Sequence, residues 1–157
     1  TEIYTLSLHD ALPIYAGRMV AEVWEELPLV YPGVISNAYS VMPNHFHCVL
    51  ILTARYRNEA DGSDGTPPIL SVGDVVHRFK VRTTHLYGQC VRLNGWPPYK
   101  GRLWQRNYFE HIIGTDKAMG NIQDYIYSNQ AQWETDMENP RRRKGQGNTG
   151  PAESWRV

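Results

Sequence analysis

The sequence predicts an α+β fold, a central antiparallel sheet flanked by helices, and three observations carry that prediction. Val34–Leu52 is rich in Val, Ile, Tyr and Phe and is broken at Met42-Pro43-Asn44, the pattern of two strands joined by a tight turn. Ala16–Leu27, Ser71–Arg92 and Asp116–Trp133 repeat apolar residues at helical spacing. A further β-rich stretch, Leu103–Ile113, lies between the second and third of these. Hairpin-linked strands combined with amphipathic helices make a layered α+β domain.

Taken in order, Thr1–Ile14 (TEIYTLSLHDALPI) resembles one reading frame of a common short-read sequencing adapter. It is set aside as a non-native segment, which leaves a domain over 15–133 whose natural first strand is expected to be missing. The same stretch is β-rich from Ile3 to Leu8, and a β-capable peptide can fill a vacant sheet position. The first helix carries Met19, Val20, Val23, Trp24 and Leu27 on one face, and Pro28 followed by Tyr31-Pro32-Gly33 should end it. Arg55–Pro68 is a polar Gly/Asp/Pro loop, the expected flexible insertion. The second helix aligns Val72, Val75, Val76, Phe79, His85, Leu86 and Val91, has Ser71 and Asp74 as caps, and stops at Asn94-Gly95. The third brings Met119, Ile122, Tyr125, Ile126 and Asn129 near one face. Residues 134–157, with Arg141–Lys144 and a Gly/Asn/Pro tail, are expected to be disordered.

A chain of 157 residues with 41% hydrophobic and 20% charged side chains suits one folded domain. Cys48 and Cys90 stand apart, which excludes a zinc-ribbon spacing and a disulfide framework. Apolar runs such as Cys48–Leu52 fall far short of the roughly 20 residues of a membrane-spanning helix, so a cytoplasmic protein with no membrane partner is expected. The 16 basic and 16 acidic residues cancel, but not locally. From Val75 to Asn107 there is no Asp or Glu, while Arg78, Lys80, Arg82, Arg92, Lys100, Arg102 and Arg106 all fall there. Such a surface attracts phosphates, and Arg78, Lys80, Arg82, Lys100, Arg102 and Arg106 are the candidate nucleic-acid contacts. The interleaved Phe79, Tyr87, Trp96, Tyr99 and Trp104 suit base stacking or the core, and for Trp104 the core is the expectation.

His45-Phe46-His47 opens an apolar run just after the Pro-Asn break. In a strand, residues i and i+2 share a face, so the two imidazoles project together while Phe46 turns to the core. Two imidazoles on one face can hold a divalent metal and leave positions for a third ligand and a phosphate; they also occur as a solvent-facing pair without function.

Val41–Leu52 (VMPNHFHCVLIL) resembles the signature of the REP-associated tyrosine transposases, a branch of the HUH single-strand endonuclease superfamily. Leu103–Ile113 (LWQRNYFEHII) and Asp124–Asn129 (DYIYSN) are similar to two further blocks of that family, in the family's order. The resemblance implies a ferredoxin-like sheet and a metal-dependent enzyme that nicks and rejoins single-stranded DNA. It makes Tyr125 the nucleophile, forming a 5′-phosphotyrosine, and His45, His47 and Asn129 the ligands of Mg²⁺ or Mn²⁺. The implied substrate is a DNA hairpin with a single-stranded flank, handled by a monomer or a homodimer in the bacterial nucleoid. Tyr125 and Asn129 are i and i+4, on one helix face; Tyr127 is the rival nucleophile, but its i+4 residue is Ala131, which binds no metal. Where the family often has Asn-Pro this chain has Asn129-Gln130, so Gln130 is a fallback ligand. Glu110 and His111 are expected behind the metal ligands as their hydrogen-bond partners, the alternative being that they are simply surface residues. The competing functions are a hairpin-binding module without catalysis and a metal hydrolase with a water nucleophile.

Overall fold

A computed structural model describes residues 2–8, 13–53, 70–129, 131–135 and 139. The polar loop 55–68, Gln130 and the basic run 141–144 lie outside the described residues. The elements run β1 (Glu2–Ser7), α1 (Ile14–Val30), β2 (Val34–Val41), β3 (His45–Leu52), α2 (Val72–Asn94), β4 (Phe109–Ile112) and α3 (Asp116–Asn129), followed by a 3-10 turn at Trp133–Thr135. The sheet order is β2-β3-β1-β4 with every pair antiparallel, the ferredoxin-like βαββαβ arrangement with α3 added.

The adapter-like segment supplies a central strand. Glu2–Ser7 pairs with β3 on one side and β4 on the other, so the sheet position expected to be vacant is filled.

Period-two alternation sorts β3 between two layers. Phe46, Cys48 and Leu50 join Leu6 of β1 under α1 and α2, packed against Val20, Val23, Trp24, Val75, Val76 and Phe79. Within that layer the rings of Trp24, Phe46 and Phe79 meet pairwise at centroid distances of 5.2–5.5 Å. Each such pair adds about 0.5–1.5 kcal/mol beyond the area it buries. On the opposite face Ile3, Ala38 and Val49 pack against Ile122 and Ile126 of α3. A bulge between Ser36 and Tyr39 of β2 helps seat that helix. Within it Asn37 Oδ1 accepts from Gln123 Nε2 of α3 at 2.7 Å, and the small Ala38 lets the helix approach.

Three boundaries differ from the sequence expectation. Pro28 does not end α1, which runs to Val30 with Tyr31 N–H donating to Leu27 O. The proline costs one ladder bond in a turn that is ending anyway. The strand expected over Leu103–Ile113 shrinks to Phe109–Ile112, because Leu103 and Trp104 are drawn under α2. There the Trp104 indole N–H donates to Thr83 Oγ1 at 2.8 Å. Finally, α3 stops at Asn129 rather than Trp133, without a proline to stop it. The capping of α2 follows the sequence: Ser71 and Asp74 form a reciprocal capping box, and Gly95 takes the left-handed C-cap conformation at φ 67°.

Candidate active site and nucleic-acid interface

The β3 alternation puts His45 and His47 on the α3 face of the sheet, with ring centroids 4.5 Å apart. Both are buried, at 2% exposure each. Each ring is held at Nδ1 by an oxygen: His45 by Asn44 Oδ1 at 2.8 Å, and His47 by Thr5 Oγ1 at 2.8 Å from the facing position of β1. An amide oxygen only accepts, so the Asn44 contact puts the His45 proton on Nδ1 and turns Nε2 into the donor atom for a ligand.

Helix α3 crosses this face. The Tyr125 ring lies edge-on to His47, with centroids 5.6 Å apart, and in the 3-10 turn that follows the helix Trp133 lies 5.9 Å from His45. Asn129, the last residue of α3, stands one turn after Tyr125 and four residues before Trp133, and is 3% exposed. Its Nδ2 is buried with no hydrogen-bond partner. A buried amide in that state is costly unless the site takes a ligand that engages it, and rotating the amide presents Oδ1 to the same space. Among the described residues no group of three His, Cys, Asp or Glu side chains could hold a metal. Two imidazoles and an amide oxygen are donors that a divalent ion accepts.

Tyr127, the alternative nucleophile, is 67% exposed, and the Tyr125 ring is the one that meets the His pair. The β1–β4 register sorts the two residues expected behind the ligands. Phe109 stands opposite Thr5, in the row that contains His47; Glu110 stands opposite Tyr4, and His111 opposite Ile3. Glu110 is therefore on the far face of the sheet, exposed, and not behind the His pair as expected, because a one-residue step in a strand reverses the face. His111 shares the His face but is two residues along, in the row of Val49. Besides Tyr125, residues that contact the pair include Thr5, Asn44 and Trp133. Asn44 and Trp133 carried a local signal, one adjoining His45 and the other continuing the Tyr125, Asn129 spacing; Thr5 carried none.

The acid-free stretch forms α2 and the segment after it. Lys80, Arg102 and Arg106 line a groove of about 590 Å³ with His77, His85, Tyr99 and Trp104. Lys80 Nζ donates to Gln105 O at 2.9 Å and lies 5.3 Å from the Tyr108 ring centre, and burial lowers its pKa. Arg82 is held by Glu26 in an ion pair at 2.6 Å, and Arg78 lies over the Tyr31 ring, so these two are engaged away from the groove. Lys100 is exposed beside it. Trp104, Phe79 and Tyr87 are buried in the core, leaving Tyr99 and Trp96 as the partly open aromatics. The groove segment reaches the His pair through hydrogen bonds: Gln105 Nε2 donates to Leu8 O, Leu8 N–H donates to Asn44 O, and Asn44 holds His45.

No helix among the described residues is long and apolar enough to cross a membrane. No family model matches the chain. An uncharacterized protein of Haemophilus influenzae is 29% identical over 134 residues, spanning 77% of this chain and 68% of the relative. Among solved structures, a REP-associated tyrosine transposase bound to a REP hairpin superposes with a TM-score of 0.56 at 22% identity. That match covers 83% of this chain, which spans 66% of the transposase's length. A candidate transposase from Deinococcus radiodurans superposes with a TM-score of 0.50 at 18% identity, over 82% of this chain and 89% of the other. The ferredoxin-like fold read from the sequence is thus shared with transposases.

Proposed function

We propose that this chain is a REP-associated tyrosine transposase of the HUH type, which cuts and rejoins single-stranded DNA beside a hairpin through Tyr125. One observation carries the reading: Tyr125 lies against His47 while the buried, unsatisfied amide of Asn129 follows one turn later on the same helix. The sequence blocks and the shared fold support it independently.

In this reading His45, His47 and Asn129 hold Mg²⁺ or Mn²⁺, which when bound polarises the scissile phosphate and offsets its developing charge. Tyr125 Oη attacks phosphorus; the new P–O bond to the phenol forms as the bond to the 3′-oxygen breaks. The departing oxygen takes up a proton as a 3′-hydroxyl, and the phenol proton is lost to solvent. A free phenol titrates near 10 and is a poor nucleophile at neutral pH, so positioning is the main service of α3. The phosphotyrosine keeps the ester bond, and attack by a 3′-hydroxyl rejoins the strand and releases Tyr125. Lys80, Arg102 and Arg106 attract the nucleic-acid backbone to the groove.

The test is incubation with a labelled hairpin oligonucleotide and Mn²⁺, scored for an adduct that survives denaturation. It should form in the wild type and in Tyr127→Phe and be lost in Tyr125→Phe. Cleavage that persists in Tyr125→Phe points to a water nucleophile instead. The near-complete burial of His45, His47 and Asn129 favours one other reading, a hairpin-binding module without catalysis, which predicts tight binding with no adduct.

A further inference from the structure

We propose that Thr5 is a positioning residue for His47, fixing the ring so that Nε2 serves as the metal-ligating atom; this rests on the His pair being a metal site. The two histidines are supported differently. His45 is held by its own neighbour, Asn44, within the turn that starts β3. His47 is held across the sheet by a residue 42 positions away.

The support is built into the register. Thr5 pairs directly with His47, and β1 is flanked on both sides by hydrogen-bonded strands, so the hydroxyl has little freedom to move away. Thr5 is 8% exposed and His47 2%, so water does not readily replace the contact. A β-branched side chain in a strand has few rotamers, which further fixes the oxygen. The hydroxyl can donate or accept. Ligation through Nε2 selects the arrangement in which Nδ1–H donates to Thr5 Oγ1, since an imidazole nitrogen that carries a proton binds no metal. Thr5 thereby holds the ring angle of His47 and accepts its Nδ1 proton when Nε2 ligates, whereas the Asn44 oxygen, which only accepts, sets the His45 tautomer by itself. Partners of this kind typically change metal affinity by about 10–100-fold.

The experiment compares wild type, Thr5→Val and Thr5→Ser for Mn²⁺ binding by electron paramagnetic resonance. Long-range proton–nitrogen NMR on the metal-free proteins reads the two ring nitrogens of His47 and the hydrogen bond at Nδ1. Valine keeps the branched shape and removes the hydroxyl; serine restores it. Thr5→Val should bind Mn²⁺ at least about tenfold more weakly, with the Nδ1 resonance of His47 shifted by loss of its hydrogen bond, and Thr5→Ser should recover most of both. Equal Mn²⁺ affinity in wild type and Thr5→Val, or an unchanged His47 Nδ1 resonance, overturns the proposal. Loss of affinity in Thr5→Val that Thr5→Ser does not recover overturns it too, since the hydroxyl is then not the cause. A wild type that binds no Mn²⁺ overturns the metal-site reading itself, while the NMR comparison still decides whether Thr5 sets the ring.

Discussion

The basic groove makes a prediction that separates cations by their surroundings rather than by their charge. Arg102 and Arg106 line it, whereas Arg82 is neutralised by Glu26 at 2.6 Å. Each phosphate neutralised on duplex DNA contributes about 0.9 to the slope of log affinity against log salt. Removing both groove arginines in Arg102→Gln/Arg106→Gln should therefore lower that slope by about 1.8 for a hairpin stem, or about 1.4 if the contacts are to single strand. With Lys80 included, the groove accounts for a slope of about 2.7, a loss of about fortyfold in affinity between about 50 and 200 mM salt. Fluorescence anisotropy with a labelled hairpin across that range measures the slope directly. Arg82→Gln should leave it nearly unchanged, because its charge is already compensated. If Arg82→Gln lowers the slope as much as either groove substitution, the DNA lies elsewhere on α2 and the assignment of the groove fails.

Phe79→Ala should destabilise the fold by about 3–5 kcal/mol, because a ring with no exposure that touches Trp24, Phe46 and Trp104 leaves a cavity its rigid neighbours do not fill; urea denaturation with an unchanged m-value checks this. Tyr39 is pushed up to about 12 by burial and then by its hydrogen bond to Glu25. A raised phenol contributes stability that is complete below its unfolded value near 10 and is lost as pH rises through about 12, so Tyr39→Phe should flatten the alkaline end of a stability-versus-pH curve. Excess Mn²⁺ should raise the melting temperature of wild type, by the equivalent of about 2.7 kcal/mol at a hundred times its dissociation constant. Asn129→Ala should lose most of that increment, and an undiminished shift would remove Asn129 from the ligand set.

Much of the candidate site follows from local geometry. His45 and His47 share a face because strand side chains alternate, and Tyr125 and Asn129 share one because helix residues four apart stack. Neither conclusion needs to know what lies opposite. Glu110 was misplaced for the converse reason: which face a β4 residue takes depends on the register in which that strand pairs with β1, a segment about a hundred positions away in the chain. The six candidate cations are alike in sequence, and only their neighbours separate Arg82 beside Glu26 from Arg102 and Arg106 in the groove.

The α+β class, the ends of α2 through Ser71, Asp74 and Gly95, and the faces that carry the His pair and Tyr125 with Asn129 are legible in the chain alone. These depend on backbone periodicity and on capping groups within a few residues, interactions that exist whatever the rest of the chain does. Only the folded molecule shows that Glu2–Ser7 is a central strand, that Thr5 meets His47 and that Tyr125 of α3 lies against the same ring. Those contacts join residues tens of positions apart, and they are selected by the burial of two apolar faces on one sheet, to which no single segment holds the key.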